Sequence, residues 1–153
     1  MIKEVTDRDL ARAIDLVNVV FSEFVAVDYA EEGRNTFEAY LKEKLQKVSA
    51  DLQSGHKKMW AYYREDEILG VIATQNVSHI SLMFVAKEQH RKGIAKELFQ
   101  TVLAELKEHP GVTQITVNSS PYAITVYERL GFVKTAEQQE RNGILFIPMA
   151  TSI

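Results

Sequence analysis

The chain has 153 residues, of which 46% are hydrophobic and 25% charged, and it carries a net charge of −3. That length suits one domain over residues 1–153 with a single real core, and the acidic balance leaves no general attraction to nucleic acid or anionic membrane. The absence of cysteine excludes disulfides, thiolate nucleophiles and thiolate metal sites, and no metal centre is expected.

The start, "MIKEVTDRDLARAIDL", is charged throughout and lacks the apolar stretch of a signal peptide. No apolar run approaches the roughly 18 residues of a membrane span, so a soluble cytoplasmic protein without membrane partners is expected. "IKEV" reads as a short strand and Thr6 as an N-cap. Leu10, Ile14, Val17, Phe21 and Phe24 then follow at helical spacing. "VAVDYAEEGRN" breaks that period and reads as a loop. Asn35 with Glu38 resembles a capping box for a second helix marked by Phe37, Leu41, Leu45, Val48 and Leu52 and closed by Ser54-Gly55.

The period then changes. "KMWAYY" and "ILGVIATQ", separated by "REDE", predict a hairpin, and "HISLMFVA" predicts a largely buried strand. Ile94, Ala95, Leu98, Phe99, Val102, Leu103 and Leu106 trace one face of a helix stopped by Pro110-Gly111. "QITVN" predicts a strand. Ser120-Pro121 opens a helix that ends at Gly131, onto which Phe132 can pack back. "FVKTAEQ" and "ILFIPM" flank Asn142-Gly143, a strong type I′ turn signal. Hairpins mixed with one strand–helix–strand crossover imply an α+β fold of three layers: a central, twisted, largely antiparallel sheet flanked by about four helices.

The stretch "EQHRKGIAKELF" raises a physical question, because it crowds His90, Arg91, Lys92 and Lys96 around Gly93 at a helix start. The helix dipole disfavours cations there. A bound phosphate would resolve the conflict, since the first N–H groups of a helix lack internal partners and point outward. Neither GxxxxGK[ST] nor GxGxxG is present, and the turn alone reads equally well as a plain helix start with solvated charges.

The stretch "HRKGIAKEL" resembles the Q/R-x-x-G-x-G/A loop of the GNAT superfamily of acetyl-CoA-dependent N-acetyltransferases. The strand "SLMFV" before it and "VNSSPYAITVYERLGF" after it are similar to that family in position and character, and the likeness is strong from about residue 58 to 133. The resemblance implies acetyl-CoA as cosubstrate. It implies that Met83, Phe84 and Val85 offer backbone groups to the pantetheine arm, and that Arg91, Lys92, Gly93, Ile94, Ala95 and Lys96 wrap the pyrophosphate. Asn118 would lie near the pantetheine or thioester. Tyr127 matches the tyrosine that commonly acts as general acid toward the departing thiolate; read alone, it is a core aromatic on the stripe of Ala123, Ile124 and Leu130.

Two departures matter. His90 stands where Gln or Arg is usual, which makes phosphate contact depend on pH, and Ser120 stands where many members carry Asn. The acceptor would be a small-molecule or peptide amine, met by the loop "FSEFVAVDYAEEG", with Glu23, Asp28, Tyr29 and His79 as substrate contacts and Glu31 and Glu32 as further carboxylates of an acidic rim. No one of these is singled out as the amine's base. The alternatives are a non-catalytic acyl-CoA-binding module of the same fold and an enzyme acting on protein N-termini or lysines. A homodimer is common in that family.

Overall fold

The computed structural model describes the backbone of residues 1–25, 31–43 and 45–153, and the side chains outside residues 24–30 and 40–48. The order is β1 (Ile2–Glu4), α1 (Asp7–Val20), a π-helical turn (Phe21–Val25), α2 (Glu31–Glu43), α3 (Leu45–Ser54), β2 (Lys57–Arg64), β3 (Glu67–Gln75) and β4 (His79–Val85). A 3-10 turn (Lys87–Gln89), α4 (Ile94–Leu106), β5 (Gln114–Ser119), a second 3-10 turn (Pro121–Ala123) and α5 (Ile124–Arg129) follow. The chain then completes β6 (Val133–Lys134), β7 (Gln139–Arg141) and β8 (Ile144–Ser152).

The strands form one sheet in the order β1-β2-β3-β4-β5-β8-β6, with β7 also paired to β8. Every pairing is antiparallel except β4 with β5. Helices cover both faces, which gives the three expected layers. On one face Leu10, Ala13 and Val17 of α1 pack with Met59, Ala61, Val71 and Leu82 of the sheet. On the other, Leu98, Phe99, Val102 and Leu106 of α4 and Tyr127 of α5 pack with Ile72, Ile80, Ile115 and Val117.

The local signals behave as their chemistry dictates. Thr6 occupies the N-cap of α1, although its side chain makes no capping bond. Asn142 and Gly143 both have positive φ, 53° and 81°, as a type I′ turn requires, and they join β7 directly to β8. The Ser120 hydroxyl accepts the N–H of Ala123 at 3.2 Å ahead of Pro121. Phe132 folds back as expected, its ring 5.4 Å from those of Tyr127 and Phe99.

The region before the sheet departs from expectation. Asn35 and Glu38 do not cap a helix; both lie inside α2, which begins four residues earlier with Glu31 and Glu32 in its first turn. Two carboxylates there suit the dipole. The expected second helix is covered by α2 and α3, which lie on either side of residue 44. The side chains of Phe24, Leu41, Leu45 and Val48 lie outside the described ones.

The seat of α4 rests on a missing side chain. A Cβ on Gly70 of β3 would stand 2.9 Å from the Ile94 Cγ2 and 3.1 Å from the Leu98 Cδ1. Both partners are buried, so the first two turns of α4 have little room to retreat. Gly70→Ala is expected to cost about 1–3 kcal/mol, the usual range for an overpacked core. Urea unfolding measures this, and an unchanged midpoint would show slack between α4 and β3.

Candidate active site

The central feature is a parting in the sheet. β4 and β5 pair at only two registers, His79 with Thr116 and Ile80 with Val117. Beyond them no ladder joins Leu82–Val85 to β5, while β4 stays paired with β3 and β5 stays paired with β8. A bulge explains where the parting starts. Ala73 of β3 opposes Leu82 and Thr74 opposes Ile80, which leaves Ser81 as an extra residue in β4. A bulge bends its strand and increases the local twist. Placed one residue after the last β4–β5 register, it turns the rest of β4 away from β5. The result is a wedge whose β4 wall presents unladdered backbone from Leu82 to Val85.

The alternation around the bulge sorts the side chains of that wall. Met83 and Val85 face the α4 side, whereas Leu82 and Phe84 face the α1–α3 side. Met83, Phe84 and Val85, the residues to which the family resemblance gave the pantetheine arm, stand together at the open end of the wedge.

The loop "HRKG" crosses from this wall into α4. Arg91 and Gly93 both have positive φ, 64° and 84°. Gly93 sits directly before Ile94, its carbonyl accepting the N–H of Glu97 at 3.0 Å, so the N–H groups of Ile94, Ala95 and Lys96 precede the first intrahelical bond. A Cβ on Gly93 would meet no atom within 4 Å. Its left-handed backbone, rather than crowding inside the protein, is what favours glycine at this position. Arg91, Lys92 and Lys96 are exposed, and none of them forms an ion pair among the described residues. Unmatched cations beside outward N–H groups make a site for a phosphate-sized anion.

His90 is oriented by two further contacts. Its Nε2 lies 2.7 Å from the Val85 carbonyl oxygen and its Nδ1 3.4 Å from the Tyr122 hydroxyl. Its backbone N–H is donated to the Lys87 carbonyl at 3.2 Å. The ring thus ties the end of β4 to the segment after β5, across the mouth of the wedge. Tyr122 and the bulged Ser81 had no signal in the sequence: the first is simply a tyrosine after a proline, and the second sits in a strand apolar on both faces.

The far wall carries the remaining expected residues. Asn118 is exposed on β5, opposite Pro148 of β8. Ser119 is buried and donates to the Ser120 carbonyl at 2.8 Å. Tyr127 is 4% exposed, with its ring edge-on to Phe132. Burial pushes its hydroxyl well above the ordinary tyrosine pKa. Among the described residues no hydrogen bond holds that hydroxyl, and no buried side-chain oxygen or nitrogen lacks a partner.

The acceptor-side residues are not all brought together. Glu23 is exposed on the π-helical turn, which approaches Pro121–Ala123. Glu31 and Glu32 are exposed at the start of α2. His79 lies at the closed end of the wedge, its Nδ1 2.8 Å from the Thr116 hydroxyl, and burial lowers its pKa. Asp28 and Tyr29 lie outside the described residues.

Known proteins share this fold. Over 104 residues the chain is 26% identical to the UPF0157 protein YqkA of Bacillus subtilis (strain 168), a match covering 66% of this chain and 30% of that protein's length. The fold resembles that of a GCN5-related N-acetyltransferase from Rhodopseudomonas palustris, with a TM-score of 0.80 at 17% identity over 100% of this chain and 95% of that one. It also resembles PaiA N-acetyltransferase from Thermoplasma acidophilum, solved with coenzyme A, with a TM-score of 0.78 at 16% identity over 100% and 98% of the two chains. A family model for the acetyltransferase (GNAT) domain matches residues 25–153. With the parted strands and the glycine loop between β4 and α4 already in place, that match settles the family: the chain belongs to the GNAT acetyltransferases.

Proposed function

We propose that this protein transfers an acetyl group from acetyl-CoA to a primary amine by direct attack. The wedge between β4 and β5 carries the reading. Its β4 wall offers backbone groups to an extended amide-bearing arm, as an added strand would. Its open end leads to the N–H groups and cations that suit the pyrophosphate. The cofactor's two chemically distinct parts thus match two adjoining surfaces. Asn118 and Ser120 stand on the opposite wall. The Ser120 hydroxyl caps the 3-10 turn as an acceptor and retains its own proton for the arm.

The reaction requires a neutral amine. Its nitrogen attacks the thioester carbonyl, the C–N bond forms, and the negative charge on the carbonyl oxygen is met by a backbone N–H of β4. The C–S bond then breaks and the nitrogen gives up its extra proton to solvent. Tyr127 donates its hydroxyl proton to the departing thiolate. Free thiols of this kind have a pKa near that of cysteine, about 8.5. Burial keeps the Tyr127 proton in place until the thiolate departs. Glu23 lies on the side from which a cationic amine would arrive, where an exposed carboxylate favours its approach.

Two variants test this. Gly93→Val forces a β-branched residue into the left-handed region, a strain of about 1–3 kcal/mol, and places its methyl groups where the phosphate approaches. Its Kd for coenzyme A should rise about tenfold or more by calorimetry, while melting stays cooperative. Unchanged binding in the folded variant would remove the loop from the pyrophosphate site.

Tyr127→Phe keeps the ring against Phe132. Single-turnover acetylation should fall about 10²–10⁴-fold, with cofactor affinity and Tm nearly intact. Because the hydroxyl's pKa is raised, it stays protonated past its ordinary value of 10.0, so activity should show no alkaline loss from this group up to that pH. A wild-type rate in Tyr127→Phe would make the tyrosine purely structural.

A further inference from the structure

The two halves of the sheet are bridged on the α1–α3 face by one helix. α2 places Phe37 in a near-parallel stack on Phe21, with centroids 4.0 Å apart and 10° between planes, and sets it 6.4 Å from the ring of Phe84 on β4. The same helix reaches β8 on the other side of the wedge. Gly33, Thr36 and Phe37 are spaced three and four residues apart, so they share one face. Gly33 and Gly143 are both buried, backbone against backbone. A Cβ on either glycine would overlap the other's main chain. The Thr36 hydroxyl lies 3.0 Å from the Asn142 carbonyl and 2.8 Å from the Glu32 carbonyl, and it donates its single proton to one at a time.

Glycine is a poor choice for helix stability, and alanine would be the better helix former at residue 33. Gly33 has an ordinary helical φ, so backbone conformation does not require it. The requirement comes from 110 positions along the chain, at the β7–β8 turn. The contact draws α2 down until it spans from Phe84 of β4 to β8, on the two sides of the wedge. Phe37 and Phe84, each half-buried, then present aromatic surface beside the unladdered end of β4.

We propose that α2 is a clasp over the acceptor side of the wedge, and that the Gly33–Gly143 contact sets the girth of the amine that can reach the thioester. The proposal deepens the acetyl-transfer reading and rests on it. The acceptor class it assigns is a slender primary amine on an unbranched apolar stem, the stem lying against Phe37 and Phe84. A branched or ring-bearing amine would have to lift α2 from the β7–β8 turn.

The test uses the full chain, a panel of primary alkylamines from unbranched to branched and ring-bearing, and thiol release from acetyl-CoA. In Gly33→Ala the ratio of kcat/KM for bulky over unbranched amines should rise tenfold or more, while the Kd for coenzyme A stays within twofold. Hydrogen exchange at residues 33–39 should quicken at least fivefold in that variant, the opposite of what helix propensity alone predicts. Thr36→Val, which removes only the hydroxyl bond, should move both readouts the same way by about threefold; it carries the test if Gly33→Ala does not fold. Unchanged exchange overturns the clasp. Faster exchange with an unchanged amine profile overturns its role in selecting the acceptor. A wild-type protein that binds coenzyme A but releases no thiol with any amine overturns the acetyl-transfer reading, and the selecting role falls with it, whatever the exchange shows.

Discussion

One extra residue organises this protein. Ser81 interrupts the register of β4 against β3 just past the last rung shared with β5. Backbone N–H and C=O groups inside a protein are obligatory hydrogen-bonding partners. A strand released from one neighbour therefore turns backbone groups toward a gap where no partner strand meets them, and the His90 ring meets one of them, the Val85 carbonyl. Around it the chain has arranged a glycine loop at one end, a buried tyrosine on α5, and a helix across one face.

Seating the glycine loop is a packing problem as much as an electrostatic one. The loop's cations and N–H groups are useful only if α4 begins at the right height above the sheet. Gly70 of β3 sets that height by offering no side chain beneath Ile94 and Leu98. His90 then ties the loop back to the β4 terminus through the Val85 carbonyl. An imidazole can make that bond and still reach the Tyr122 hydroxyl, because its two nitrogens point in different directions.

Much of this was legible in the chain. The apolar stripe of α4, the β-branched runs of β2–β5, the Asn142-Gly143 turn and the Ser120-Pro121 cap all obey local rules, and the structure places them where those rules say. Likeness to a known family located the loop and the tyrosine. What escaped has non-local causes. Gly33 reads as a loop residue because its reason, Gly143, is far away in sequence. Ser81 is invisible because both faces of β4 are buried, so apolar residues run on without the alternation that would betray a slipped register. The direction of the His90 ring depends on Val85 and Tyr122, which only the folded chain brings near.

The parallel seam also bears on how the molecule holds together. β1–β4 and β5–β8 each form an antiparallel ladder of their own, and between them the sheet contributes two rungs. Backbone pairing across such a joint is sparser than within either side, so the core that both halves share beneath α4 carries most of the join. A ligand lying along the seam and touching both walls does more than occupy a site. By mass action it stabilises the joined state over the parted one.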